Sequence, residues 1–346
     1  MRGRTLTLRD LNRATLARQL LLQRRRLSPL GAIERLVGMQ AQWPPAPYVG
    51  LWSRLTGFRR ATLERAILRG DVLKPTVMRG TLHLVTARDY PTFWAAFRDM
   101  LTWFGPEHLE HALRIVPEVR ELARNAPLTQ KAALEHLERE HGHADQYGRR
   151  VFQALRLHAH LLHAPETALW TTRPQAIYGV YEEPQPVDTL AARTEIVRRY
   201  LSAFGPATRA DLADWSGLRV ADCLPALEAL EPLRRFRDEN GRDLLDLPRA
   251  PLPPAETPAP VRFLPKWDNV LLAFADRTRV LPEEYRKTVI RTNGDVAQTF
   301  LIDGLVSGIW RVENGRVVLE PFGALSRSVR RELEDEAGRL EAFLAD

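Results

Sequence analysis

The 346-residue chain is 45% hydrophobic with a mean hydropathy of −0.29. No run approaches the roughly 18 apolar residues of a membrane span, so several water-soluble modules are expected. A single cysteine, Cys223, excludes an internal disulfide and a multi-thiolate metal site, and the net charge of +7 comes from 50 basic and 43 acidic residues. The N-terminal arginines precede no apolar signal-like stretch, which makes the cytoplasm the expected compartment. Residues 1–30 hold eight arginines against one acid, Asp10, so the whole charge excess sits there. That placement suits a polyanionic partner or a solvated helix face.

Residues 8–26 carry apolar side chains at 8, 11, 16, 20 and 22, a helical period. Ser28-Pro29 reads as N-cap and first position of a second helix with Ile33, Leu36 and Val37 on one face. A third helix is expected over about 61–69, then two β-type runs, VLKPTVM and TLHLVT, around Arg79-Gly80. Three helices and a hairpin are the winged-helix pattern. It recurs over 127–163, followed by β-like TALWTT and AIYGVY. It returns over 189–247, where Thr208 caps a helix-turn-helix and Asn240-Gly241 turns a hairpin. The stretch PRAPLPPAETPAP (248–260) is a linker. Beyond it, β-type runs with Asn293-Gly294 and Asn314-Gly315 turns predict a small barrel or curled sheet closed by an amphipathic helix over 325–344. The expected class is therefore α+β, mostly helical, with modules at 1–90, 91–183, 184–250 and 251–346.

Common catalytic signatures are absent: no GxGxxG after a strand, no phosphate-binding GxxxxGK[ST], no GxSxG and no HExxH. His160 and His163 would share a helical face with His158 nearby, but no third ligand is offered, so no metal is expected. What remains is GMQAQWPPAP, with Gln40 and Gln42 where a helix must stop. In a helix Gln40 faces inward with Ile33 and Leu36. Pro44 disfavours helical geometry at Trp43, and in an extended segment Gln40 and Gln42 face the same side. Two amides can then converge on one small target, or simply cap the helix.

GMQAQ with its proline-rich sequel, MRGTLHLVTARDY (78–90) and LPKWDNVLLAFADRTRVLPEEYR (264–286) together resemble the AlkZ/YcaQ family of bacterial winged-helix DNA glycosylases. The resemblance runs from about residue 8 to about 343. It implies three tandem winged helices in a C shape, a C-terminal β-domain, and excision of alkylation lesions and interstrand crosslinks from double-stranded DNA. It implies that Gln40 and Gln42, matching the Gln-hydrophobic-Gln form of the family motif, are the catalytic pair. Thr81 and His83 of TLHL are expected to line the site while Leu82 and Leu84 face the core. Arg79, Arg149, Arg150 and Arg156 are expected on DNA, and no cofactor, membrane or second subunit is implied. Glutamine neither donates nor abstracts protons, so it can only orient water and stabilise a developing oxocarbenium ion. That suffices when the leaving group is already cationic, as in N7-alkylguanine or N3-alkyladenine. Two other readings fit the modules: a winged-helix regulator without chemistry, and a self-resistance scaffold that binds a DNA-damaging small molecule.

Overall fold

The computed structural model describes residues 4–100, 105–143, 145–171, 175–182 and 185–346, and its architecture is mixed α+β. Strand β1 (Thr5–Leu6) leads into helix α1 (Leu8–Arg18), opened by a reciprocal capping box between Thr7 and Asp10. The helical period read as far as residue 26 is cut short, because Leu20 turns left-handed at φ 59°. Helix α2 (Pro29–Arg35) starts where Ser28 and Pro29 dictate, the Ser28 hydroxyl accepting from Gly31 N. It ends before the glutamines. Val37 (φ 61°) and Gly38 (φ 78°) turn the chain out of the helix, and Gln40 lies on strand β2 (Met39–Gln40), not on the face of Ile33 and Leu36.

The prolines act one step later than the sequence suggests. Pro45 is the N-cap of α3 (Ala46–Arg54), a wholly buried helix that the proline run disguised. Helix α4 (Arg60–Leu68), β3 (Val72–Leu73), a tight helical turn over Met78–Gly80 and β4 (His83–Thr86) complete this group. Its sheet is antiparallel, in the order β2-β4-β3.

Helices α5 (Tyr90–Phe97) and α6 (Pro106–Asn125) begin the next group, with β5 (Leu128–Thr129), α7 (Gln130–His141), α8 (Asp145–His158), β6 (Leu161–His163) and β7 (Ile177–Val180). Thr129 caps α7, Gly142 ends it in the left-handed region, and the sheet order is β5-β7-β6. The expected strand TALWTT is not formed where described: Pro165–Thr167 is a tight helical turn and 168–171 carry no strand, while 172 lies outside the described residues. Helix α8 stops at His158 and His160 is left-handed (φ 51°), so His160 and His163 share no helical face. They are packed singly, His160 Nδ1 lying 2.9 Å from the Tyr90 hydroxyl.

These histidines predict acid sensitivity. Burial is the first cause that pushes His83 and His163 down to about 3 and His158 and His160 down to about 4, from 6.5. Below pH 6.5 the unfolded chain takes protons that the folded protein refuses until pH 3–4. Their contribution to stability is thus complete above pH 6.5 and is lost as pH falls. The melting temperature should be flat from pH 7 to 8 and drop by on the order of 10 °C between pH 6.5 and 4.5. A melt unchanged down to pH 4.5 would contradict this burial.

The third group follows the sequence closely: α9 (Thr189–Phe204), α10 (Arg209–Ser216), α11 (Val220–Glu228), β8 (Arg234–Asp238) and β9 (Asp243–Asp246). Thr208 forms a capping box with Asp211, and Gly217 closes α10 at φ 78°. One strand of its sheet comes from far away. β1 pairs in parallel with β8, giving the order β1-β8-β9, so the chain's first elements pack here rather than with residues 28–90. Arg18 of α1 is 1% exposed and holds Asp246 through two contacts of 2.7 and 2.9 Å. Arg13, equally buried, holds Asp303 and donates to Thr257 O. Arg4, Arg9 and Arg24 are paired with Asp10, Asp303 and Glu336. Arg13, Arg18 and Arg24 of the basic N-terminal segment are therefore an internal staple, while Arg4 and Arg9 pair at the surface. Only Arg25 and Arg26 are exposed without an ion pair among the described residues.

The proline linker is fixed along α1, its carbonyls at Pro251, Ala255 and Thr257 accepting from Arg18, Arg9 and Arg13. The last group contains β10 (Arg262–Leu264), α12 (Asn269–Leu272), α13 (Arg286–Val289), β11 (Thr299–Ile302), β12 (Leu305–Glu313), β13 (Arg316–Pro321) and α14 (Arg327–Ala345). Its strands form a four-stranded antiparallel sheet in chain order, with Asn314-Gly315 at the β12–β13 turn. Leu333 and Leu340 of α14 join Phe263, Phe300 and Trp310 in one core with the buried face of α3. No helix among the described residues is long and apolar enough to cross a membrane.

Candidate active site

The register of β2 on β4 assembles the site. Gln40 lies directly opposite His83, and residues opposite one another in a sheet project to the same face. Ala41 N still donates to Leu82 O at 2.8 Å, after which the strand peels away. The Leu82 N–H left behind is taken by the Gln42 side chain, its Oε1 accepting at 3.3 Å. Gln42 is exposed, whereas Gln40 is 7% exposed. Thr81 is half-buried at the edge of the site, with its hydroxyl donating to Met78 O at 3.1 Å.

Gln40 is held by a residue expected elsewhere. Arg79, left-handed at φ 54° in the turn before β4, donates Nη2–H to Gln40 Oε1 at 3.1 Å and Nη1–H to Trp215 O. Its half-buried guanidinium is thus tied to two groups of the protein. Gly217, at the end of α10, permits the contact, since a Cβ there would stand 3.2–3.3 Å from Arg79 Cγ and Cα. Burial pushes Arg79 down to about 10, opposed by Asp214, which leaves it charged at neutral pH.

His83 is fully buried. Its Nδ1 lies 3.1 Å from Thr81 O, and a carbonyl only accepts, so Nδ1 carries the proton and Nε2 is a bare lone pair without a partner. Burial first, then the Arg79 charge, pushes its pKa down to about 3. His83 is therefore neutral at any working pH and has no proton to give from Nε2. Nor, among the described residues lining the void beside Gln40, is a carboxylate free. Asp268 is held by Arg54 through both oxygens at 2.7 and 2.8 Å. A void of about 10 Å³, room for one water, is lined by Gln40 with Arg54, Asp268 and Asn269.

From the last group, Asn269 donates Nδ2–H to Gly38 O at 2.6 Å and to Leu36 O at 3.3 Å. It thereby fixes the left-handed Val37-Gly38 turn from which the glutamines hang. Left-handed geometry at a β-branched residue costs on the order of 1–3 kcal/mol and persists only where the surroundings enforce it. Sequence reasoning gave WDN no role, because nothing in its spacing names a partner more than 200 residues away. Asn269→Ala should slow the reaction about tenfold at saturating DNA, leave DNA affinity nearly unchanged and lower the melting temperature by a few degrees. A variant with normal turnover would remove Asn269 from the positioning of Gln40.

The arginines of α8 lie outside this constellation. Arg149 and Arg150 are exposed and form no ion pair among the described residues, while Arg156 is half-buried. Arg149 borders a cleft of about 550 Å³ that also carries Lys131, Glu135, Glu138 and Asp145.

The sequence model of the DNA glycosylase AlkZ-like family matches residues 33–343, and the chain belongs to that family. Among its relatives, the interstrand DNA cross-link repair glycosylase of Streptomyces sahachiroi is 24% identical over 352 residues, 93% of this chain and 92% of that one. The solved structure of Streptomyces sahachiroi DNA glycosylase AlkZ has the same fold, with a TM-score of 0.80 at 20% identity over 98% of this chain and 97% of that one.

Proposed function

We propose that the protein is a monofunctional glycosylase that hydrolyses the N-glycosidic bond of cationic alkylated purines in double-stranded DNA, N7-alkylguanine first. Bulky adducts and interstrand crosslinks, the substrate in the relative's name, fall within the same chemistry. The observation that carries the reading is that Gln40 and Gln42 are both tethered while His83, the titratable group facing Gln40, stays neutral with no proton to give. Each tethered carbonyl oxygen keeps a second lone pair for a water hydrogen. A water so held presents its own lone pair to the sugar carbon as the base departs, and the amide dipoles favour the oxocarbenium charge.

The three helix-and-sheet groups are read as winged helices, arranged in the C shape that the family resemblance implies, and Arg149, Arg150 and Arg156 as phosphate contacts on the second of them. A Schiff-base route finds little support in the placement of three of the four lysines. Lys74 falls in register with Leu84 and Met39, the sheet face opposite Gln40 and His83. Lys266 is paired with Asp295 at 2.9 Å and Lys131 with Glu135 at 3.6 Å.

Incubation with a duplex containing N7-methylguanine in excess chelator should release free base and leave an alkali-labile but unbroken strand. Tight binding without release would favour a regulator. Borohydride trapping of a protein–DNA adduct would overturn the monofunctional reading.

A further inference from the structure

In the second group of elements, Glu118 of α6 meets His136 and His141 of α7. This trio is the one group among the described residues whose three potential metal-ligating atoms all lie within 4.8 Å of one another. Glu118 Oε1 is 2.5 Å from His136 Nε2 and 3.1 Å from His141 Nε2. Gly142, left-handed at φ 66°, stops α7 just after His141 and so fixes that imidazole at the helix end.

A second observation lies beside the trio. His111 is seven residues before Glu118, two turns along the same face of α6. It is 3% exposed, its ring stands edge-on to His141 at 5.2 Å, and its Nε2 has no hydrogen-bond partner. A buried imidazole nitrogen without a partner is costly in a protein interior. Two hydrogen bonds to one carboxylate explain His136 and His141, but they leave His111 unexplained.

We propose that Glu118, His136 and His141 bind one zinc-class divalent cation, with the buried His111 ring packed beside His141, and that the ion staples α6 to the end of α7. Imidazole and carboxylate are the donors such ions take in proteins without thiolates. Tetrahedral ligand atoms at about 2.0–2.1 Å from zinc stand roughly 3.3 Å apart, so the two spacings to Glu118 Oε1 open by less than about 1 Å, and the His136–His141 separation, which lies within 4.8 Å, closes by at most about 1.5 Å. The ion takes the place of the protons now lying between Glu118 and the two Nε2 atoms, and each histidine ligates in its neutral form with its proton on Nδ1. Arg139, which approaches His136 Nδ1 at 3.4 Å, then yields that contact and keeps Glu140 at 2.6 Å. Glu118 is 41% exposed, which gives the ion a way in.

The test uses untagged full-length protein, stripped with chelator and dialysed, and zinc chloride as the probe. Calorimetry should show one zinc per chain, and zinc should raise the melting temperature by several degrees. Glu118→Gln and the double variant His136→Ala/His141→Ala should each weaken binding by more than about tenfold and abolish the thermal shift. Cys223→Ser, which removes the one thiol, should retain both. Base release at low temperature should be the same with and without zinc, so its loss would bear on the glutamine site and not on this one. Absence of stoichiometric binding in the parent protein overturns the proposal, as does equal binding by the Glu118 and histidine variants.

Discussion

Gln40→Ala and Gln42→Ala should each lower the release of N7-methylguanine by about 100-fold or more, while DNA affinity changes less than about threefold. Phosphate contacts carry most of the affinity of such proteins, whereas a fixed dipole at the reacting centre acts chiefly on the transition state. The two variants should differ in stability. Gln40 is buried and accepts from Arg79, so its loss leaves one N–H of the half-buried guanidinium without its partner and should cost about 1 kcal/mol. Gln42 is exposed and holds only the Leu82 N–H, which water can satisfy once the side chain is gone. A thermal melt beside single-turnover kinetics separates the two, with Gln42→Ala slow but as stable as the parent. Full activity in the double variant would leave both amides without a catalytic role.

The elements that read well in the sequence are those whose signals are local. Thr208 with Asp211, Ser28 with Pro29, and Asn314 with Gly315 each fix a cap or turn through residues within three positions, and each stands where it was expected. Misreadings arose where a distant contact overrides local preference. α1 stops at Arg18, just before the left-handed Leu20, and Arg13 and Arg18 of that helix are held by Asp303 and Asp246, partners 290 and 228 residues away that no periodicity reports. The same arginines looked like a phosphate-binding face for the same reason: charge can be counted in a sequence, but burial cannot. At the candidate site, the amide pair and His83 are named by their motifs, and Gln40 stands opposite His83. The supports are not named in this way, since Arg79 meets Gln40 only because Gly217 of a later group lets the backbones close, and Asn269 reaches Gly38 across 231 positions. The histidines show both effects. His158, His160 and His163 attract notice by proximity in sequence yet pack apart, while Glu118, His136 and His141 converge from two helices.

The lesion itself should have to be cationic. N7-methylguanine and a bulky N7-guanine adduct should be released at comparable rates, with uracil and 1,N6-ethenoadenine at least about 1000-fold slower. A neutral base departs readily only if a group protonates it as the bond breaks, and this site opposes that step twice. His83 has its proton tied to Thr81 O and a pKa pushed down to about 3, so Nε2 stays bare. The fixed charge of Arg79 on Gln40 further disfavours an added proton nearby. A base that is already positive needs none, because its charge passes to the sugar as the bond opens and the total does not rise. Tolerance of bulk follows from the position of Gln42, exposed at the end of the β2 segment, where the chain leaves the sheet. An amide pair that meets the sugar from a sheet edge does not have to enclose the base, so the few kcal/mol spent on full extrusion are not required. The pH profile offers a second reading of the same point. Release of the cationic lesion should be level from about pH 5 to 7, since His83 titrates below that window and Arg79 above it. Efficient uracil release, or a rate that rises as pH falls through 6, would reveal an acid in the reaction and reverse the assignment.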